Sequence, residues 1–285
     1  MSRSCISGST RVFGIVGHPV RHSRSPAMHN RLFQSFGIDA VYVPFDVAPD
    51  RSDRVAELIR TMNLSGVNLT VPHKEGVVPF LDELSTPAHI AGAVNVVIHR
   101  DGRLIGHNTD GLGFASALIH AGEPIDRDHA VILGSGGSAR SVAAELLSRG
   151  VRRITLLNRT EDRASSAAAA LAAHHPAVHL ACGGLTDASF AAAAAGADLV
   201  VNCTSGPAAP LVDSLDPTVL DPSASWVDLN YWMPSPPRHR AVIESGRAFH
   251  DGLGMLAFQG ALSFELFTQH AIDGGELLAD MRGAP

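Results

Sequence analysis

Two successive trains of short apolar runs, each run separated from the next by a helix-like stretch, constrain this chain more than any other feature. In the first train RVFGIVG (11–17), AVYVPFD (40–46) and GVNLTV (66–71) alternate with SPAMHNRLFQSF (25–36) and DRVAELIRTM (53–62). Strand, helix, strand, helix, strand is the pattern of an α/β layer with a mainly parallel sheet. NVVIH and RLIGH then flank Asp101-Gly102, a dipeptide whose backbone preferences favour the tight turn of a hairpin.

The second train opens with HAVILGSGGSARSVAAELLSRG, read as a strand at 130–133, a glycine turn and a helix that stops before Gly150, a residue suited to the left-handed position after a helix. It continues through a strand at 152–158, an Ala-rich helix at 161–174 and strands at 198–203 and 225–230. The Ala-rich stretches at 164–173 and 190–195 read as closely packed helices, since Ala is the strongest helix former. A helical region from Gly252 onward, containing MLAFQGALSFELF, follows the second train and is free to return to the first. A chain of 285 residues fits two domains of ordinary size.

Composition excludes several function classes. Hydrophobic residues make up 45% and charged residues 18%, a globular balance. The formal net charge is −6 and no block of Lys or Arg occurs, which argues against a nucleic-acid partner. Cys5, Cys182 and Cys203 are odd in number and form no C-x-x-C pair, against a disulfide framework or zinc knuckle and for a reducing compartment. MSRSCISGST holds no signal-like apolar core, and no run approaches the roughly 18 apolar residues of a membrane span. A cytoplasmic protein with no membrane partner is expected. Among 15 histidines, His18 and His22 stand four apart, but Pro19 spoils a helical ligand pair, so no metal site is expected.

Gly134-Ser135-Gly136-Gly137-Ser138-Ala139 matches G-x-G-x-x-A and lies between an apolar strand and a helix. The first glycine makes the turn, the second admits a pyrophosphate against the backbone, and the small third residue packs helix on strand. The helix start supplies free N–H groups to phosphates. Where an NAD enzyme places an acid on the ribose, at the end of the next strand, this chain has Asn158-Arg159-Thr160 with Arg163 following. Guanidinium groups there suit the 2′-phosphate of NADP. Two solvated arginines are the plain alternative, although a positive charge at a helix start is unfavourable without an anion.

In the first train, Ser25 is placed to N-cap a helix with Pro26 at its first position, and Ser23 adds a second hydroxyl. Such a capped start can also hold a carboxylate; read alone, the capping role is preferred. Asn68-Leu69-Thr70-Val71-Pro72-His73-Lys74, Gly92-Ala93-Val94-Asn95 and Gly106-His107-Asn108-Thr109-Asp110-Gly111 gather further amide, hydroxyl, ammonium and carboxylate groups, each cluster alone being ordinary turn chemistry.

Taken together, GHPVRHSRSPAMHN, GVNLTVPHK, GAVNV, GHNTDGLGF, GSGGSAR, NRT, NCTSGP and GMLAFQGALSFE resemble the shikimate dehydrogenase family, in order from about residue 14 to about 267. The resemblance implies an α/β substrate domain of residues 1–112 and 253–285, a Rossmann-type NADP domain of residues 113–252, and a cleft between them. It implies that Ser23 and Ser25 hold a substrate carboxylate with Tyr231 nearby, and that Asn68, Thr70, Asn95, Asp110 and Gln259 contact ring hydroxyls or their neighbours. Lys74 and Asp110 become the catalytic pair. The cofactor NADP would lie on Gly134, Ser135, Gly136, Gly137, Ser138, Ala139 and Arg140, its 2′-phosphate on Asn158, Arg159, Thr160 and Arg163, and its nicotinamide side near Thr204, Gly252 and Met255.

Hydride transfer to a ring ketone builds negative charge on oxygen, which a proton or a cation must meet. Lys74 can supply either, with Asp110 orienting it; a surface lysine is the bland reading of Lys74 alone. The partner implied is a small carboxylate, 3-dehydroshikimate or shikimate, handled by a monomer or homodimer. The sequence departs from the family pattern at Leu69, where Val is usual, at Val96, where Thr is common, and at YWMPSPP from Tyr231, where Tyr-Asn-Pro is usual. The last departure keeps quinate and aminoshikimate open as substrates, while serine at both 23 and 25 favours shikimate. A non-catalytic NADP-binding regulatory protein is the rival class, against which the Lys74 and Asp110 pair argues.

Overall fold

The computed structural model describes residues 6–205, 208–231 and 237–283. Cys5, the Gly206-Pro207 end of NCTSGP and Trp232 to Pro236 of the YWMPSPP departure lie outside the described residues. The chain forms two compact units, one of residues 1–109 and 259–285, the other of residues 110–258.

The first unit carries strands β1 (Arg11–Gly17), β2 (Ala40–Asp46), β3 (Gly66–Leu69), β4 (Glu83–Leu84), β5 (Val96–Arg100) and β6 (Arg103–His107), with helices α1 (Ser25–Ser35), α2 (Ser52–Thr61), α3 (His73–Gly76) and α4 (Thr86–Ala91). Its sheet runs in the order β2-β1-β3-β5-β6-β4. The β2 and β3 strands, each reached through a helix, pair in parallel on either side of β1, whereas β5 is antiparallel to both β3 and β6. Asp101 and Gly102, with φ of 51° and 75°, make the hairpin turn between β5 and β6, the positive-φ pair that such a turn demands.

The second unit begins with α5 (Asp110–His120) and contains β7 (His129–Leu133), α6 (Gly137–Ser148), β8 (Arg153–Asn158), α7 (Glu161–Ala172), β9 (His179–Gly184), α8 (Asp187–Ala194) and β10 (Leu199–Asn202). It closes with α9 (Ala209–Asp213), β11 (Ser225–Asp228), α10 (Pro237–Glu244), β12 (Ala248–Asp251) and α11 (Leu253–Thr268). Helix α11 continues into the first unit from Gln259, and α12 (Gly274–Gly283) follows there. All six strands pair in parallel in the order β9-β8-β7-β10-β11-β12, the doubly wound arrangement of a Rossmann unit, whose chain reverses direction between β7 and β10. Every residue of β7, β10 and β11 is buried, as expected of central parallel strands with helices on both faces.

Three strands, β4, β9 and β12, escape the sequence reading. The β9 sequence HLACGG and the β12 sequence AFHD have no fully buried residue, because they are the sheet's two edges and lack the continuous apolar run of a central strand. Helix α7 stops at Ala172, two residues short of the expected end.

Phe13, Phe33, Phe264 and Phe267 form one core of the first unit together with Tyr42 and Ile15. Phe264 and Phe267 come from α11, so residues from the far end of the chain complete the core built by its beginning. A Cβ at Gly66 would meet the Phe267 ring at 2.8 Å, so glycine there lets that ring lie against β3.

Candidate functional site

The polar groups of the first unit gather where β3 ends and β5 begins, against α11. Asn68 is 6% exposed; its Oδ1 accepts from the Tyr42 hydroxyl at 2.7 Å, and its Nδ2 donates to the Asn95 carbonyl at 3.2 Å and to Ser263 Oγ at 3.0 Å. Asn95 Nδ2 donates to Thr109 Oγ1 at 2.9 Å and to Gln259 Oε1 at 3.3 Å, while Asn95 Oδ1 accepts from the Thr109 N–H at 2.8 Å. Thus the structure brings Asn68, Asn95 and Gln259 into one hydrogen-bonded group. Tyr42, Thr109 and Ser263 belong to it although the sequence reading assigned them no role of their own, Thr109 and Ser263 standing only as unassigned members of the motifs that carry the family resemblance; Ser263 is 195 residues from Asn68. Thr70 lies beside them in chain, its methyl against Gly17, where a Cβ would be only 2.2 Å from it.

Lys74 lies on the short helix α3, partly buried. Its neighbour His73 is fully buried, with Nε2 against the Val47 carbonyl at 2.9 Å and Nδ1 against Ser52 Oγ at 2.7 Å. A carbonyl only accepts, so Nε2 carries the proton and Nδ1 accepts from the serine. These two bonds, and that of the Val94 N–H to the Lys74 carbonyl at 2.8 Å, fix the backbone from which the ammonium projects. Lys74 is also the sole lysine of the chain: every other one of its 22 basic side chains is an arginine. Arginine keeps its proton at any physiological pH, whereas lysine can give one up.

At the start of α1 the structure corrects the sequence reading. Ser25 is the first helical residue and not the cap; the capping position falls on Arg24, with no side-chain cap bond, and Pro26 sits at the second helical position. The Ser25 N–H instead meets Ser23 Oγ at 3.3 Å. Ser25 is 4% exposed, and its hydroxyl is not the cap of α1.

In the second unit Gly134 has φ of +105°, and a Cβ there would lie 3.2 Å from the Cys203 carbonyl carbon and 3.4 Å from the Thr204 nitrogen. Glycine is therefore required where the β7 and β10 ends approach each other at the reversal point of the sheet. Ser135 is 2% exposed and its hydroxyl is buried without a partner among the described residues, while α6 begins with no side-chain cap among them and no acidic residue in its first turn. A bare helix start beside an orphaned hydroxyl suits an anionic group such as a pyrophosphate. Ala139 is buried, and Arg140 Nε donates to the Ser135 carbonyl at 3.3 Å, bracing the turn. Ser138 Oγ donates to Asp110 Oδ2 at 3.1 Å. Asp110, 3% exposed, is the first residue of α5, and a Cβ at Gly111 would strike the Ser141 carbonyl at 2.5 Å; this close helix packing brings the carboxylate to the glycine turn.

Asn158 ends β8 and its Nδ2 donates to the Thr160 carbonyl at 2.8 Å; Arg159, Thr160 and Arg163 are exposed. Thr204 donates through both N–H and Oγ1 to Asn202 Oδ1, at 3.1 and 2.7 Å. A Cβ at Gly252 would lie 2.1 Å from the Leu229 carbonyl oxygen, and Met255 is 8% exposed in the core. Tyr231 is partly buried. Among the described residues no group of three His, Cys, Asp or Glu is arranged to hold a metal, and no helix is long and apolar enough to cross a membrane.

A doubly wound parallel unit with a glycine turn at its reversal point, carried with an α/β unit bearing a cluster of buried amides and hydroxyls, defines a two-unit dinucleotide-binding α/β protein. Residues 15–97 match the model of the shikimate dehydrogenase substrate binding domain, residues 117–224 that of shikimate/quinate 5-dehydrogenase, and residues 252–274 that of the shikimate 5′-dehydrogenase C-terminal domain. The chain belongs to the shikimate dehydrogenase family. It is 42% identical over 266 residues to the shikimate dehydrogenase (NADP(+)) of Symbiobacterium thermophilum, covering 92% of this chain and 90% of that one. Among solved structures it is similar to shikimate 5-dehydrogenase from Listeria monocytogenes in complex with shikimate and NAD, with a TM-score of 0.85, 30% identity and coverage of 98% and 99%. Shikimate 5-dehydrogenase from Thermus thermophilus, in complex with NADP(H) and shikimate, gives a TM-score of 0.81 at 34% identity over 95% and 98% of the two chains.

Proposed function

We propose that the protein catalyses the reversible, NADPH-dependent reduction of 3-dehydroshikimate to shikimate. The observation that carries this reading is the hydrogen bond from Ser138, in the dinucleotide turn, to Asp110: the carboxylate assigned to the chemistry is built into the helix start assigned to the cofactor. When bound, NADPH supplies the hydride that turns a ring ketone into a secondary alcohol. Lys74 gives a proton from Nζ to the ketone oxygen as charge builds there, and takes it back in the reverse direction. Asp110 is its carboxylate partner, Ser23 and Ser25 with Tyr231 hold the substrate carboxylate, and Asn68, Thr70, Asn95 and Gln259 meet the ring hydroxyls. Residues 134–140 cradle the pyrophosphate, Asn158, Arg159, Thr160 and Arg163 take the 2′-phosphate, and Thr204, Gly252 and Met255 line the nicotinamide side.

The same reading has the protein acting in the cytoplasm, as a monomer or homodimer, on a small carboxylate. The test follows NADPH absorbance with 3-dehydroshikimate, and NADP+ reduction with shikimate and with quinate. Faster turnover of quinate would assign it to the alternative substrate, and no turnover of any would make it a binding protein. Lys74→Arg keeps the positive charge and removes the transferable proton, so kcat is expected to fall roughly 10² to 10⁴ fold. A variant holding more than about a tenth of the wild-type kcat would exclude proton transfer by Lys74.

A further inference from the structure

The Asn68 amide has a fixed orientation. Its Nδ2 edge faces the Asn95 backbone carbonyl at 3.2 Å, which can only accept, so the group turned toward it must be the NH2. The second N–H goes to Ser263 Oγ at 3.0 Å, which is free to accept because its own proton goes to the Gln259 carbonyl at 2.8 Å. Oδ1 is then turned toward Tyr42, whose phenol donates to it at 2.7 Å. Flipping the amide would set two acceptors against each other at Asn95.

Tyr42 is itself held from several sides. Its ring is 1% exposed and stacked on His29, with centroids 4.4 Å apart and planes 14° from parallel. Its backbone N–H donates to Asn30 Oδ1 at 2.9 Å and its carbonyl accepts from Asn30 Nδ2 at 2.7 Å.

Both donors of Asn68 and one lone pair of Oδ1 are therefore used inside the protein, which leaves a single acceptor position. We infer that Tyr42 is a positioning residue that locks Asn68 as an acceptor toward the substrate, so that Asn68 reads a non-reacting ring hydroxyl and takes no part in polarising the ketone. This rests on the reading of Asn68 as a substrate contact. A hydroxyl can donate to the remaining lone pair; a ketone or ether oxygen in the same place would meet lone pair with lone pair. Asn68 is thereby a specificity residue, and charge on the reacting oxygen is left to Lys74.

The test uses the full chain with saturating NADP+, shikimate, and two shikimate analogues, each lacking one of the two non-reacting ring hydroxyls. Wild type is expected to lose roughly tenfold or more in kcat/KM with one analogue in particular, and Asn68→Ala to abolish that discrimination. Tyr42→Phe, which keeps the stacked ring, is expected to lower kcat/KM for shikimate roughly three- to tenfold, chiefly through KM. It should leave the KM for NADP+ unchanged and have no further effect in the Asn68→Ala background, since coupled residues are not additive. A Tyr42→Phe enzyme equal to wild type, or a loss that multiplies fully with that of Asn68→Ala, overturns the inference. The lock is also read without substrate, from proton exchange at the Asn68 side-chain amide by ¹⁵N NMR, with Asn68→Ala assigning the signal and exposed Asn63 as the reference. Protected protons in a protein that turns over no shikimate would sink the proposed reaction and leave the lock standing; unprotected protons would sink the lock.

Discussion

His29 carries an imidazole inside the aromatic core of the first unit, fully buried, with Nδ1 lacking a partner among the described residues. Burial penalises the charged ring and lowers its pKa from 6.5 to about 3. The unfolded chain therefore takes up a proton near pH 6.5 that the folded chain refuses, so this contribution to stability is complete above pH 6.5 and is lost as pH falls toward 3. Between pH 7.5 and pH 5 the His29 contribution should fall by about 2 kcal/mol. His29→Phe, which keeps an aromatic ring beside Tyr42, removes it. Urea titrations of both proteins at the two pH values measure the difference, and parallel loss in wild type and variant would show that His29 is not the source. Ser25 yields a second prediction at this scale. Since it is not the cap of α1, Ser25→Ala should raise KM for the carboxylate substrate while changing stability by less than about 0.5 kcal/mol. A stability loss of about 1 kcal/mol with unchanged KM would return Ser25 to a purely structural role.

At the scale of elements, what the sequence made legible follows burial. Strands β1, β7, β10 and β11 lie within their sheets and read as apolar runs, and the Asp101-Gly102 turn announced the β5–β6 hairpin through its backbone preference alone. The edge strands β9 and β12 mix exposed and half-buried positions, which no apolar run distinguishes from loop. Asn68, Asn95, Asp110 and the 134–140 turn stand out as candidates because they lie in short motifs, at strand ends and helix starts, that the family resemblance gathers. Tyr42 and Ser263 lie in the middle of a strand and a helix, and look like packing until the fold brings them to Asn68. The junction of β8 and α7 carries the cofactor prediction. Arg159 is exposed one residue after β8, where an acid would favour NAD. A charge-assisted hydrogen bond contributes roughly 1.5 to 3 kcal/mol, so Arg159→Ala should weaken NADPH roughly ten- to a hundredfold and leave NADH nearly untouched. The ratio of kcat/KM values for the two cofactors reads this directly, and equal losses for both would assign Arg159 to the fold.

On the scale of the whole molecule, the first unit is discontinuous in sequence, and its core depends on that. Phe264, with no exposure, and Phe267, 6% exposed, pack against Phe13, Phe33 and Ile15. Both lie on the part of α11 that groups with the first unit, whereas among the described residues the hydrophobic clusters of the second unit draw on none beyond Met255. Truncating a single buried Phe typically costs about 3 to 5 kcal/mol, and a domain's entire stability is roughly 5 to 15 kcal/mol. Removing two such side chains consumes most of that margin. A chain ended after Phe258 should therefore lose protection from hydrogen exchange in the amides of β1, β2 and β3, while those of β7, β10 and β11, whose packing is supplied within residues 110–258, stay protected. Full-length Phe264→Ala should move in the same direction, raising exchange in β1 and β3 before β7. Protection of β1 and β3 in the shortened chain would mean that residues 1–109 hold their core without α11, and the return of the chain to its first unit would then be needed for the site alone, where Gln259 meets Asn95.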